Sequence, residues 1–351
     1  MRERPAQSLL WFAYLALSVY TQPVWAETWY VNSQTGNDSH SGTADKPLQS
    51  LAKVAGLINA HAGSGPTIVK IAPGVYSLDQ TVTLQNPRLY TQENRLILEA
   101  MISPDDPNWR PDHMPVVASR QIPKTSGGSM SRTETYSLKI KLNHVTIRGL
   151  KFLGNATPNN WHNCIERVGE HLNDLLVSQC VFEGDPQGAD IYCATLATGD
   201  RFVVDHCVFK NCGACVVFWD GLEGSVGQGC AMRYCIVDDA YQSGIWTCQT
   251  AEDLKFHHNI ITNSKYMWLR KPGDTQMYRL SQCVIVHNQH ESGYGVASGP
   301  IGPTDDTVRF IHDRVIQEGT VIFDTDKTSR YVGHCINKSL GYELKAGLFK
   351  P

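Results

Sequence analysis

The segments DLLVSQCVF (residues 174–182) and RFVVDHCVF (201–209) begin a repeat that decides the fold of this chain. AMRYCIV (231–237), LKFHHNII (254–261) and YRLSQCVIV (278–286) continue it. Each segment is a short apolar strand with a small or polar residue near its centre, and that residue recurs every 24 to 28 positions. A repeat of this length without helical spacers is typical of a β-solenoid, in which each coil buries its inner face against the next.

The central residues of the repeats predict one column inside the solenoid: Gly149, Cys180, Cys207, Cys235, Asn259 and Cys283. Coils stack about 4.8 Å apart, so such residues form an inward ladder. Parallel side chains rarely meet disulfide geometry, which favours buried free thiols over disulfides. At roughly 26 residues per coil we expect about ten coils over residues 67–340, followed by a short tail at 341–351.

Residues 1–26 have the features of a targeting segment. Arg2 and Arg4 precede the apolar run LLWFAYLALSVY (9–20), and Val24-Trp25-Ala26 offers a cleavage site. The run is short for a membrane span, which favours a signal peptide over an N-terminal anchor. We therefore expect a secreted or periplasmic protein with no membrane association once the signal is removed.

The composition excludes some partners. Of the 351 residues, 42% are hydrophobic and 19% are charged, which is ordinary for a protein with a real core. The net charge of −3, without a run of Lys or Arg, gives no case for nucleic-acid binding. A monomer is expected.

Residues 27–66 predict a strand and a helix that covers the open apolar end of the solenoid. Pro47 suits the first position of a helix over residues 47–61, and apolar residues from Leu48 to Ile58 fall on one face. This helix is interpreted as an N-terminal cap.

The stretch YVNSQTGNDSHSGTADKPLQSLAKV (30–54) resembles the opening of secreted right-handed parallel β-helix proteins of the pectate-lyase superfamily. In those proteins a Tyr-Val strand, a Gly-x-Asp loop, a Gly-Thr turn and a Lys-Pro helix start precede Gly-Val-Tyr, which is found here at residues 74–76. The resemblance implies an all-β fold: a single right-handed parallel β-helix with a capping helix, covering nearly the whole mature chain.

The strand that follows each turn is expected to carry the functional site, because its outward residues stack along one face. The candidates are Glu166, Trp219, Asp220, Trp246, Trp268, Arg270 and Lys271. Aromatic rings can stack on sugars, and Arg and Lys pair with uronate carboxylates. For any single Trp, the alternative is an inward core position.

The resemblance implies a polysaccharide lyase, which removes the proton beside a uronate carboxylate and expels the 4-linked sugar. The expected partner is then an acidic polysaccharide. In this hypothesis Lys271, Arg270 and Glu166 are catalytic; Trp219, Trp246 and Trp268 bind substrate; and Asp220 and Glu223 hold a possible Ca²⁺.

Other interpretations stay open. The Asn-Thr-Asp, Gly-His-Gly and Arg-Ile-Lys signatures of polygalacturonases are absent, although another carboxylate-pair glycosidase fits the composition of the face. A different class is a non-catalytic carbohydrate-binding or surface solenoid with the Trp face as its adhesive strip. The fold alone does not choose between these. Asp238-Asp239 is favoured as a turn over a cation site.

Overall fold

The computed structural model describes residues 26–121, 133–157, 160–219, 227–248, 254–270, 279–281, 283–286, 288, 290–293 and 309–311. The proposed signal peptide, apart from residue 26, and the proposed tail at 341–351 lie outside the described residues.

The described elements are one α-helix, α1 (Leu51–Ala60), one 3₁₀ turn (Pro111–His113) and a series of short strands. The first thirteen strands are β1 (Glu27–Val31), β2 (Thr67–Ile71), β3 (Gly74–Leu78), β4 (Val82–Leu84), β5 (Leu96–Ala100), β6 (Pro115–Ser119), β7 (Thr133–Ile140), β8 (Val145–Arg148), β9 (Lys151–Leu153), β10 (Asn160–Arg167), β11 (Asn173–Ser178), β12 (Val181–Glu183) and β13 (Cys193–Ala197). The others are β14 (Asp200–Asp205), β15 (Val208–Lys210), β16 (Ala214–Phe218), β17 (Ala231–Arg233), β18 (Ile236–Asp238), β19 (Ser243–Thr247), β20 (Lys255–His257), β21 (Ile260–Thr262), β22 (Tyr266–Arg270), β23 (Arg279–Ser281), β24 (Val284–Val286), β25 (His290–Gly293) and β26 (Arg309–Ile311).

The strands form three parallel sheets, and successive strands pass from one sheet to another. The first sheet has the order β1-β2-β5-β8-β11-β14-β17-β20-β23, the second β4-β7-β10-β13-β16-β19-β22-β25, and the third β3-β6-β9-β12-β15-β18-β21-β24-β26. The predicted parallel β-helix is therefore confirmed. It begins earlier than expected, because β1 pairs with β2 from Glu27↔Thr67 onward and is itself part of the first sheet. Nine strand levels lie within the described residues.

The cysteine column lies where the repeat predicts it. Cys180, Cys207 and Cys235 each precede a paired strand of the third sheet, as do Asn259 and Cys283, and all five side chains are 0% exposed. Asn259 is satisfied in the ladder, since its Oδ1 accepts from the Cys235 N–H at 2.9 Å and its Nδ2 donates to the Met232 carbonyl at 2.8 Å. The ten described cysteines are all buried, and Cys164, Cys180, Cys193, Cys207, Cys212, Cys215 and Cys235 among them are free thiols, as favoured from the sequence.

Gly149 is the one wrong member of the predicted column. The register Val181↔Lys151 aligns Cys180 with Leu150 and places Gly149 one residue earlier. That position is a corner with left-handed backbone, where Gly149 has a φ of 72° and the next level's Gln179 a φ of 53°. Glycine adopts this conformation without steric cost, which explains why it marks the corner and not the inward position.

A second corner also uses left-handed residues. Asn211, Asp239 and Asn263 have φ of 52°, 58° and 56° on successive coils, and Asn and Asp tolerate this region better than most side chains. Asp239 is thus a turn residue, in agreement with the favoured interpretation of Asp238-Asp239.

The interior between the sheets is apolar and stacked level upon level. Phe152, Phe182 and Phe209 are fully buried and lie face to face, with ring centroids 5.1 and 4.9 Å apart and interplanar angles of 8° and 5°. Because equivalent residues repeat at each coil, the apolar interior of one coil packs against the same kind of surface on the next coil.

Helix α1 lies at the N-terminal end and contacts β1 and β4, the end strands of the first and second sheets. Leu51, Val54 and Ile58 on its inner face are buried, as predicted. The helix begins at Leu51 and not at Pro47. Leu48 is still extended and donates its N–H to the Tyr30 carbonyl, and the hydroxyl of Ser50 accepts from the Lys53 N–H at 3.1 Å as the N-cap.

Candidate functional site on the outer face of the second sheet

The second sheet has an outer face that begins with charge and continues with apolar and aromatic side chains. One register row of this face contains Lys139, Glu166, Leu196, Val217, Trp246 and Leu269. Leu196 and Val217 belong to a hydrophobic cluster separate from the main core, whereas their chain neighbours Ala197 and Val216 belong to the core. We call this surface the outer face.

A compact set of polar side chains, the Glu166 cluster, occupies the β7–β10 end of the outer face. Its members are Glu134, Tyr136, Lys139, Asn163 and Glu166. The Lys139 Nζ lies 3.0 Å from Glu166 Oε1, and Asn163 Nδ2 donates to Glu166 Oε2 at 3.2 Å. The Tyr136 hydroxyl donates to Glu134, and the Lys139 ammonium sits 4.3 Å from the centre of the Tyr136 ring.

The register of adjacent parallel strands produces this cluster. Tyr136 stands directly opposite Asn163, and Lys139 directly opposite Glu166. Directly opposed Cβ atoms in a sheet lie about 5 Å apart, within reach of long polar side chains. The cluster therefore rests on rigid strands and not on loops.

Burial changes the acidity of the cluster. Only 6% of Glu166 is exposed, and burial raises the pKa of its carboxyl above the ordinary value, while Lys139 and Asn163 offset only part of that effect. Burial also raises the pKa of the Tyr136 phenol, with further contributions from Glu134 and Glu166. Glu166 is thus a carboxyl that keeps its proton to a higher pH than a solvated glutamate, a property suited to general acid chemistry.

Beyond the cluster the outer face becomes apolar and aromatic. Trp161 stacks on Tyr192 with ring centroids 5.1 Å apart and an interplanar angle of 15°. Trp219 and Trp246 meet edge to face at 5.9 Å and pack, half-buried, against Val217 and its neighbours. Trp246 lies three strands from Glu166 in the same row, or roughly 14 Å at the usual inter-strand spacing.

Three of the predicted site residues share this face. Glu166 and Trp246 occupy one row, and Trp219 touches Trp246. Trp268 does not belong with them. It is 0% exposed in the main core, where its Nε1 donates to the Thr247 hydroxyl at 2.9 Å.

The error for Trp268 has a structural reason. Met267 and Trp268 both belong to the main core, and so do Cys215 and Val216 on β16, so two successive residues of each strand face inward. An assignment that strictly alternates inward and outward residues along the sequence is therefore wrong by one residue after such a pair. Ile245 and not Trp246 therefore stands opposite Trp268.

The remaining predicted residues are not tested. Arg270 ends β22 in register with Thr247, while Lys271, Asp220 and Glu223 lie outside the described residues. Within the described ranges, no group of three or more His, Cys, Asp or Glu side chains is arranged to hold a metal ion. The roles of these four residues, and of Ca²⁺, stay predictions.

Sequence reasoning missed most of the Glu166 cluster. Glu134, Tyr136, Lys139 and Asn163 are not among the candidate site residues that the repeat pattern indicates. Their signal was the segment TETYSLKI (133–140), in which polar and apolar residues mix as they do in NWHNCIER (160–167). Aligning these two strands would have paired Lys139 with Glu166.

Comparison with known proteins supports the architecture. The profile of a family described as "Right handed beta helix region" matches residues 139–299. The expected right-handed parallel β-helix fold is thus confirmed. A comparison with curated protein sequences found no match. None of the helices in the described part of the chain is long and apolar enough to cross a membrane.

Several solved structures have a similar course of the chain at low identity. A rhamnogalacturonan lyase is 14% identical, with a TM-score of 0.47 over 75% of this chain and 69% of that one. A lacto-N-biosidase from Eubacterium ramulus is 12% identical, with a TM-score of 0.49 over 75% of this chain and 56% of that one. A pectate lyase is 12% identical, with a TM-score of 0.44 over 92% of this chain and 88% of that one. These likenesses concern the fold alone.

Proposed function

We propose that this protein is a carbohydrate-active enzyme that cleaves a polysaccharide chain on the outer face of the second sheet, with Glu166 as its proton-transfer residue. The observation that carries the proposal is the Glu166 carboxyl itself, which is buried at 6% exposure on an outward row with a raised pKa. A sugar chain would be met outside the cytoplasm, in keeping with the proposed signal peptide.

The aromatic side chains support a sugar as the ligand. Tyr192 and Trp161 lie at one end of the face, and Trp219 and Trp246 lie farther along it. Flat apolar ring faces suit the C–H faces of sugars, and their polar edges suit hydroxyl groups. The length of the face, roughly 14 Å from Glu166 to Trp246, suits a chain of several sugar units.

Acid-assisted hydrolysis is the reaction that the described residues support best. Breaking a glycosidic bond requires a proton on the leaving oxygen, and a carboxyl with a raised pKa keeps that proton to a higher pH than a solvated glutamate does. Glu134 is a second, exposed carboxylate, and the Tyr136 hydroxyl is hydrogen-bonded to it. In this route Glu166 donates the proton, and Glu134 activates water or stabilises positive charge on the sugar ring.

β-Elimination on a uronate polymer is the second candidate, favoured by the closeness of Lys139 and Tyr136. Here Lys271 or Arg270 would take the proton beside the uronate carboxylate, which the Lys139 ammonium would neutralise. The C=C bond would form as the C–O bond breaks, and the Tyr136 phenol would protonate the leaving oxygen. Arg270, Lys271 and a Ca²⁺ ion at Asp220 and Glu223 belong to this version of the proposal. It ranks second because Lys139 is already paired with Glu166 at 3.0 Å.

Product analysis tests the proposal. The mature protein is incubated with neutral and uronate polymers, with and without Ca²⁺, while new reducing ends and the absorbance of unsaturated sugars are followed. Reducing ends without absorbance indicate hydrolysis, and both together indicate elimination. If no polymer yields reducing ends, the enzyme proposal fails and a binding module is left.

A further inference from the structure

Two buried polar atoms, one next to the Glu166 cluster and one within it, have no hydrogen-bond partner among the described residues. One is a donor, the indole Nε1 of Trp161, and the other is an acceptor, the amide Oδ1 of Asn163. Asn163 is only 4% exposed. Buried polar groups are satisfied in the great majority of cases, so a matched donor and acceptor left open together indicate a ligand that supplies both.

Both atoms belong to the outer face. His162, between them in the chain, is 0% exposed and bonds to the hydroxyls of Thr135 and Ser137, at 3.0 and 3.1 Å. Neighbouring strand residues point to opposite faces, so Trp161 and Asn163 share the outward side, with Cα atoms roughly 6.6 Å apart. The stacking of Trp161 on Tyr192 fixes the plane of the indole.

We infer that Trp161 and Asn163 form a subsite for the hydroxyl groups of one sugar ring. A hydroxyl both donates and accepts, so it can accept from the indole N–H and donate to the amide oxygen, alone or as one of a neighbouring pair. Neither a carboxylate, which only accepts, nor an ammonium, which only donates, can satisfy both atoms, whereas the hydroxyl groups of a neutral or a uronate ring can. This inference rests on the proposed function and names the group of the substrate that is recognised at this position.

The subsite lies beside the bond to be cleaved. The other end of the Asn163 amide donates to Glu166 Oε2 at 3.2 Å, so one side chain would hold both the sugar hydroxyl and the proposed acid. Asn163 is accordingly a positioning and specificity residue, and Trp161 a binding residue.

The test measures binding apart from cleavage. Calorimetry follows cellohexaose, xylohexaose, β-1,4-galactohexaose and hexagalacturonate on Glu166→Gln protein, which lacks the acid. Adding Trp161→Phe removes the N–H and keeps a ring for stacking. We expect Kd for the sugar that binds to rise about three- to tenfold, the usual effect of losing one neutral hydrogen bond.

Further variants separate hydrogen bonding from packing. Asn163→Leu should weaken binding about as much as Trp161→Phe, and in the otherwise wild-type enzyme it should also lower kcat, because Glu166 loses its partner. Asn173→Leu, the same change on a strand of the first sheet, is the matched control and should leave Kd unchanged. Melting curves verify that each variant folds.

The outcomes distinguish a failure of the subsite from a failure of the proposed function. If polymer is cut but Trp161→Phe and Asn163→Leu leave Kd unchanged, the subsite is overturned and the proposed function stands. The same holds if polymer is cut but none of the four hexasaccharides binds. If the protein neither cuts nor binds any sugar chain, both inferences fail.

Discussion

Replacing Glu166 by Gln tests the proposed acid with little change of shape. Glutamine keeps an oxygen that can accept from Asn163 but cannot release a proton to a leaving group. General acid catalysis typically contributes roughly 10²- to 10⁴-fold, or about 3 to 5 kcal/mol of the barrier. We expect kcat to fall by that factor with little change in substrate affinity, as measured by reducing-end release on the best polymer.

The matched control for this variant is Glu99→Gln. Glu99 pairs with Lys70 directly opposite it on the neighbouring strand at 2.5 Å, but on the first sheet. Glu99→Gln should leave kcat unchanged. That result would show that a lower kcat in Glu166→Gln does not come merely from removing an ion pair between strands. Wild-type turnover in Glu166→Gln would refute the assignment of the acid.

The same variant makes a prediction about stability, whose sign follows from the pKa. Because the pKa of Glu166 is raised in the folded protein, folding holds its proton more tightly than the unfolded chain does. The contribution of Glu166 to the stability of the wild-type protein therefore becomes less favourable as pH rises from the ordinary pKa of glutamate through the raised pKa. Glutamine does not titrate, so the stability of Glu166→Gln relative to wild type should improve between about pH 4 and pH 7. Urea unfolding at both pH values measures this, and a relative loss with rising pH would contradict the raised pKa.

Other predictions concern the fold. Leu51→Asp places an unpaired charge on the buried face of α1 and should lower the free energy of unfolding by a few kcal/mol, roughly 2 to 5, whereas exposed Lys53→Asp should not. Burial acts to raise the pKa of Asp174, but the Arg95 guanidinium 2.6 Å away helps to outweigh it and hold the pKa low. Asp174 thus stabilises the fold above its ordinary pKa and loses this effect as pH falls through the lowered one, so Asp174→Asn should flatten the acid limb of a pH–stability profile. Phe182→Ala removes the middle ring of a buried stack and should cost about 3 to 5 kcal/mol in urea unfolding; a loss under 1 kcal/mol would mean that the stack is not close-packed.

The sequence predicts the architecture well because a solenoid repeats its signal. The segments that contain Cys180, Cys207 and Cys235 each predict a strand at the same place in a coil. Equivalent strands of successive coils then pair to form parallel sheets. Individual positions are less secure. Gly149 differs by one residue from its expected place, because a glycine marks the left-handed corner and not the inward position next to it.

The candidate site could be predicted only in part, because packing decides which residues of each strand face outward. Glu166 and Trp246 were assigned to the outward row correctly, whereas Trp268 is inward because two successive residues of its strand enter the core. Tyr136 and Lys139 were overlooked because they become neighbours of the Glu166 strand only through strand register, some 27 residues apart in the chain. Periodicity shows which residues alternate, but not which strand lies beside which.

The position of Glu166 is itself an argument for function. Farther along its row are Leu196 and Val217, which are buried and apolar, so an aliphatic side chain would fit the sheet at this point. A carboxyl with a raised pKa instead contributes unfavourably to folding at neutral pH. Carboxyls with a shifted pKa concentrate at functional sites, and a fold departs from its local rules at such places. In the proposed function, Glu166 supplies the transferable proton that an aliphatic side chain at this position would lack.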